Sequence, residues 1–60
     1  MKNIEIGDLV YDYGISQRGI VIEIIESVVP YRVLYEDSHI DIATKYDLEI
    51  IGEDRRFSQS

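Results

Sequence analysis

The segment Ile20-Val21-Ile22-Glu23-Ile24-Ile25 decides the fold class of this chain. Five of its six residues are β-branched and aliphatic, and the run is shorter than the roughly ten residues that a buried helix needs. It therefore predicts a β-strand that is either covered on both faces or bulged, because only Glu23 interrupts the apolar side chains. Gly19 stands just before it, where it either takes a positive φ or lets two backbones approach closely.

A first strand is predicted on the N-terminal side, at Leu9–Tyr13. It follows the turn-prone pair Gly7-Asp8 and ends at Gly14. Residues 15–18 are polar enough for a loop, which leads to Gly19. This part of the chain therefore predicts a strand, a loop and a second strand.

Two further strands are predicted after Pro30, which removes a backbone donor and marks a turn. Alternation in Tyr31–Tyr35 places the first, third and fifth side chains on one face and Arg32 and Leu34 on the other. Residues 36–39 predict a hairpin loop whose side chains bond to their own backbone. Ile40–Ala43 is the returning strand, with both isoleucines on one face.

A last strand is predicted at Leu48–Ile51, ending at Gly52. Before it, Thr44-Lys45-Tyr46-Asp47 has the pattern of a capping box and predicts a single 3₁₀ turn. Residues 1–52 thus form one domain. Residues 53–60 form a C-terminal tail that is disordered or docks on a partner through its Arg-Arg-Phe sequence, since one large apolar residue cannot order it alone.

The predicted fold class is all-β: a small five-stranded antiparallel barrel with one 3₁₀ turn before the last strand. Gly7-Asp8-Leu9-Val10 followed by Gly19-Ile20-Val21 resembles the KOW motif, in which Gly-Asp-x-Val leads through a loop to a Gly-x-Val strand. Over residues 6–51 the chain resembles SH3-like barrels, most of all KOW-type and small phage-encoded ones. The resemblance implies a non-enzymatic domain that binds protein or nucleic acid, often within a larger assembly.

The charge of the chain favours protein partners over nucleic acid. The formal net charge is -6, and residues 7–51 hold three basic and nine acidic side chains, so the predicted domain carries the whole imbalance. Nucleic-acid affinity depends on Lys and Arg neutralising phosphates. KOW domains that contact RNA usually have basic residues around the first loop, where this chain has only Arg18, together with Asp8 and Asp12. Basic proteins or other cations suit such a surface better.

Composition also limits stability and location. A 60-residue domain without cysteine has no disulfide, so a dense aliphatic core, association, or both must stabilise it. No apolar run approaches the roughly 18 residues that cross a bilayer, and Met1–Ile6 lacks the apolar stretch of a secretory signal. We therefore expect no membrane partner. We expect the protein in the cytoplasm or, if it is viral, in the host cytoplasm or the virion.

Tyrosines and one arginine are the candidate protein-binding residues. Aromatic rings beside carboxylates can form a cage for a methylated ammonium or Arg, or line a groove that binds a peptide. In small barrels, tyrosine rings also fill the rim of the core. The sequence leaves these alternatives open. The two tyrosines of the first strand share a face and point outward if Val10 points inward. The candidates are Tyr11, Tyr13, Tyr31, Tyr35 and Arg32.

No metal site, cofactor or catalytic centre is predicted. His39 could share a metal with Asp37 and Asp41, but zinc needs three or four suitable ligands and this is the one histidine, which favours a solvated hairpin tip. The serines in turns have no evident base beside them, so neither an enzyme nor a small-molecule substrate is indicated.

The predicted function is that of a protein-interaction module, of the kind found in phage accessory or structural proteins, which binds another protein or a second copy of itself. It uses a tyrosine-bearing face and an exposed strand edge. Two alternatives remain: a KOW-like nucleic-acid or ribosome-binding domain that depends on Arg18 and Arg32, and an acidic inhibitor that mimics nucleic acid.

Overall fold

The computed structural model describes residues 3–53, which form five strands and no helix. The predicted all-β class with five antiparallel strands is confirmed. In chain order the strands are β1 (Asp8–Asp12), β2 (Gln17–Ile24), β3 (Tyr31–Tyr35), β4 (Ile40–Ala43) and β5 (Leu48–Glu53).

All five strands belong to one sheet in the order β4-β3-β2-β1-β5. Consecutive strands pair as hairpins from β1 to β4, and β5 returns to pair with the free side of β1. Within residues 3–53, β4 and β5 are the two edges and no ladder joins them. The closure expected of a barrel is therefore not observed.

The predicted bounds of β3 and β4 are those of the structure, whereas the other strands differ from the prediction. Gln17 and Arg18 were expected in a loop but belong to β2, because they pair with Asp12 and Tyr11 of β1. Gly52 was expected to end β5 but lies within it, opposite Leu9. In both places cross-strand pairing overrides a local sequence signal.

Two register shifts bend the sheet. On β2 the shift falls between Val21 and Glu23, so Ile22 is the extra residue. This is the bulge that the apolar run predicted as one of two alternatives. On β5 the pairing with β1 shifts between Gly52 and Ile50. Such bulges increase the local twist of a strand and re-aim its side chains.

One face of the sheet, called here the inner face, carries the core. The three central strands each contribute one fully buried valine, Val10, Val21 and Val33, and Val21 lies directly opposite Val33. The core is completed by residues from the strand ends and the N-terminal segment, which are Ile4, Tyr35, Ala43 and Leu48, with Tyr31 and Ile50 packed against it. The opposite face, called the outer face, carries the alternate residues of each strand.

Asp8 and Asp12 also point to the inner face. From the sequence, both were expected among the acidic groups of the surface. They are only 2% and 5% exposed. Asp8 accepts a hydrogen bond from the Glu5 amide at 2.9 Å, and Asp12 accepts one from the Gly14 amide at 2.8 Å. Buried carboxylates are tolerated when backbone donors of this kind satisfy them.

Gly19 of β2 lies opposite Tyr35 and packs tightly against β3. Its φ is not positive, so the structure selects the close-approach alternative. A Cβ built on Gly19 would stand 2.5 Å from Cγ1 of Val33 and 2.8 Å from the carbonyl oxygen of Leu34. No side chain fits there without moving a backbone.

The predicted 3₁₀ turn before β5 is not confirmed. Residues 45–47 form a turn in which the Asp47 amide donates to the carbonyl of Thr44 at 3.2 Å and the Leu48 amide to that of Lys45 at 3.4 Å. The predicted tail beyond residue 53 lies outside the described residues. No helix that could cross a membrane occurs in the described part of the chain.

Candidate protein-binding surface

A row of aliphatic side chains crosses the outer face. The register places Leu9 opposite Ile20, Ile20 opposite Leu34, and Leu34 opposite Ile40, so the row runs over β1, β2, β3 and β4. Ile51 of β5 joins it beside Leu9. These five residues are called here the outer patch.

The outer patch is open to solvent. Leu34 is 36% exposed, Ile51 50% and Ile40 53%, while Leu9 and Ile20 between them are half-buried. Four of the five side chains line an open depression of about 390 Å³. Sheets of small proteins usually keep their solvated face polar, so a continuous apolar row there is unusual.

Two ion pairs border the outer patch. Arg18 lies 3.8 Å from Glu36, whose carboxylate also accepts the Arg18 amide at 2.8 Å. Arg32 Nε lies 2.9 Å from Glu23 Oε1, close but not aligned as a hydrogen bond. Both arginines that the nucleic-acid alternative requires thus lie beside a glutamate.

Tyr11 and Tyr13 extend the outer face at the end of β1. Their rings meet edge to face with centroids 4.8 Å apart, and Tyr13 is 61% exposed. The Tyr13 hydroxyl donates to Glu49, and this bond raises the pKa of Tyr13. Val10 points inward, so both tyrosines lie outside the core, as the alternation predicts.

Tyr31 and Tyr35 lie on the inner face, so the four candidate tyrosines do not form one cluster. Tyr35 is 3% exposed and belongs to the core, so it is not a surface contact residue. Its hydroxyl donates to Asp12 Oδ2 at 2.6 Å. Tyr31 is half-buried and borders a groove of about 410 Å³ next to Lys45 and Tyr46.

The hairpin tip around His39 has the local bonding expected for a solvated loop. The His39 amide donates to Asp37 at 3.2 Å, and the ring contacts the same carboxylate, which lowers the pKa of Asp37. The ring also stacks on Tyr35 at 4.9 Å. Asp41 takes no part in this contact, and residues 3–53 contain no group of three ligands placed to hold a metal.

Both edges of the sheet carry features that discourage strand addition. On β4 the Ile42 amide donates to the Asp41 carboxylate at 2.8 Å, so this side chain occupies a donor that an added strand would use. On β5 the register shift next to Ile51 distorts the ladder. Charged edge residues and bulges are common means of blocking edge-to-edge pairing. Both edges are therefore less suited to strand addition than a regular, uncharged edge.

Comparison with known proteins gives no relative. No family model, curated protein or solved structure matches this chain. The resemblance to SH3-like and KOW-type domains therefore stays a prediction, and the site has to be judged from its own geometry.

Sequence reasoning identified Tyr11 and Tyr13 on the outer face but missed the outer patch. The signals were present, since alternation put Leu34 opposite to the core face and gave the two isoleucines of β4 a common face. What was missing was the register, which brings Ile20, Leu34 and Ile40 into one row.

Proposed function

We propose that this chain is a non-enzymatic protein-interaction module that binds through its outer patch. The observation that supports this proposal is the aliphatic row from Leu9 to Ile40 on the solvent-exposed side of the sheet. Fixed on adjacent strands, these side chains form a preorganised surface, which reduces the entropy lost on binding.

The electrostatics of the same face support protein over nucleic acid. Arg18 and Arg32 stand beside Glu36 and Glu23, and a phosphate backbone would have to displace those carboxylates. The net charge of -6 adds long-range repulsion. Apolar contact with a protein surface requires neither displacement nor a basic patch.

We expect no binding of single- or double-stranded RNA, even at about 20 mM salt, where electrostatic attraction is strongest. Fluorescence anisotropy of labelled RNA measures this directly. Salt-sensitive binding that is weakened by Arg32→Gln would contradict the proposal and favour the nucleic-acid alternative.

A capture experiment tests the proposed surface. Tagged wild type, Leu34→Lys and Val28→Lys are each mixed with a lysate that contains an untagged copy of the chain. Val28 is 92% exposed and lies in the loop between β2 and β3, so its variant adds the same charge away from the outer patch. We expect wild type and Val28→Lys to retain a protein that Leu34→Lys loses, because a lysine there has to be desolvated on binding. Identical retention by all three would refute the proposal.

A further inference from the structure

We infer that the occupant of the outer patch is a second copy of this chain, so that two sheets pack outer face to outer face in a homodimer. This inference rests on the proposed function, because it accepts the outer patch as the binding surface and names what binds there. It is supported by the charge around the patch, the size of the face and the small core.

The charged groups around the outer patch suit an identical partner. The chain is strongly acidic, yet the side chains bordering the patch on β2, on β3 and just after β3 are two arginines and two glutamates, paired as Arg18 with Glu36 and Arg32 with Glu23. These pairs leave no excess of carboxylates on β2 and β3 for a basic partner to bind. Apart from Glu49 of β5, which lies opposite Tyr11, the border of a second copy carries the same paired charges, and a two-fold arrangement brings apolar side chains against their equivalents.

A specific contact between two copies needs a sufficiently wide face. The outer patch and its ion pairs extend across all five strands of the sheet. At the lower limit of specific interfaces, each copy buries roughly 600 Å². That is about one seventh of the chain's 4420 Å² of accessible surface. Two sheet faces pack about 10 Å apart with their aliphatic side chains interdigitated.

The core of one copy is small. Only Val10, Val21 and Val33 are fully buried large side chains among the described residues. A 60-residue domain leaves about 40% of its unfolded surface in water, so its stability is limited. Packing two outer patches together removes further apolar surface from water, and binding of this kind stabilises the folded state by mass action.

Sedimentation equilibrium tests the inference, over concentrations from about 1 µM to about 1 mM, the range expected for an interface of the smaller class. We expect wild type and Val28→Lys to show the same monomer–dimer equilibrium. Leu34→Lys should raise the dimer Kd on the order of a hundredfold, because each dimer then contains two misplaced charges.

The salt dependence separates a second copy from a charged partner. Each copy carries a charge of -6, so the two copies repel at long range. Raising the salt from about 50 mM to about 500 mM screens this repulsion and should lower the dimer Kd several-fold. A dimer that weakens with salt would contradict the inference, since its contact would then be held by opposite charges.

A second measurement keeps the test valid if Leu34→Lys does not fold. On dilution of the wild type, amide chemical shifts should change at Leu9, Ile20, Leu34 and Ile40 and stay constant at Val28. Changes confined to other positions, or a wild type that is monomeric at about 1 mM, would overturn the inference.

The two proposals can fail separately. If the capture experiment retains the untagged copy, both are supported. If it retains only a different protein, and does so in a Leu34-dependent manner, the proposed function stands and the homodimer is wrong. If nothing depends on Leu34, the outer patch is not the binding surface and both are wrong.

Discussion

Replacing Gly19 by alanine is expected to lower the free energy of unfolding by about 3 kcal/mol, which is a large part of the roughly 3–9 kcal/mol available to a domain of this size. The added Cβ would stand 2.5 Å from Val33 and 2.8 Å from the Leu34 carbonyl oxygen. Val33 is fully buried, and the carbonyl belongs to a paired strand, so neither can move without disturbing the β2–β3 ladder. Urea denaturation followed by circular dichroism measures the change.

Gly52→Ala is the matched control, because Gly52 is also a strand glycine. Its added Cβ would meet Leu9 Cδ1 at 3.4 Å, an ordinary contact, and its φ is not positive. We expect a change within about 0.5 kcal/mol, since the loss of glycine's backbone entropy in the unfolded chain favours the variant. Equal effects of the two substitutions would contradict the close approach described for Gly19.

Asp12→Ala is expected to cost about 3 kcal/mol. Asp12 accepts the Tyr35 hydroxyl at 2.6 Å and the Gly14 amide at 2.8 Å, and both Asp12 and Tyr35 are buried. Without the carboxylate, a buried hydroxyl loses its acceptor, and an unpaired buried donor costs roughly 1–3 kcal/mol. In a double-mutant cycle with Tyr35→Phe, the double variant should lose less than the sum of the two single losses. Strict additivity would show that the two side chains do not interact.

The same pair predicts a loss of stability in alkali. Burial raises the pKa of Tyr35, and the hydrogen bond to Asp12 raises it further. Because the folded-state pKa lies above the unfolded value of about 10, the stabilisation is complete below that pH and declines as the pH rises above it. The free energy of unfolding should therefore fall more steeply between about pH 10 and pH 12 in wild type than in Tyr35→Phe. Parallel profiles would contradict a buried, neutral Tyr35.

The sequence predicted the fold wherever local patterns and pairing agree. β3 and β4 have strict alternation and clear turns at both ends, and their bounds are correct. The start of β2 was missed because Gln17 and Arg18 are polar, although strand pairing with β1 holds them in the sheet. A glycine after an apolar run usually marks the end of a strand. Here Gly52 pairs with Leu9 and lies inside β5.

The candidate surface was less predictable than the fold. Alternation alone shows which side chains share a strand face, but a binding surface depends on which strands are neighbours and in what register. Asp8 and Asp12 illustrate the difference. By sequence they belong to an acidic exterior, whereas the structure buries them against backbone donors and the Tyr35 hydroxyl. Only the three-dimensional arrangement separates buried carboxylates from solvated ones.

The pairing of β5 with β1 has a consequence for biosynthesis. Within residues 3–53, every other ladder joins strands that are adjacent in the chain, whereas this one joins Asp8 to Glu53. During translation, β1 lacks one of its two neighbours until the last strand has left the ribosome. Nascent chains therefore expose one side of β1, with its unpaired amides and carbonyls, and we expect chaperone contact or misfolding to concentrate there until β5 emerges.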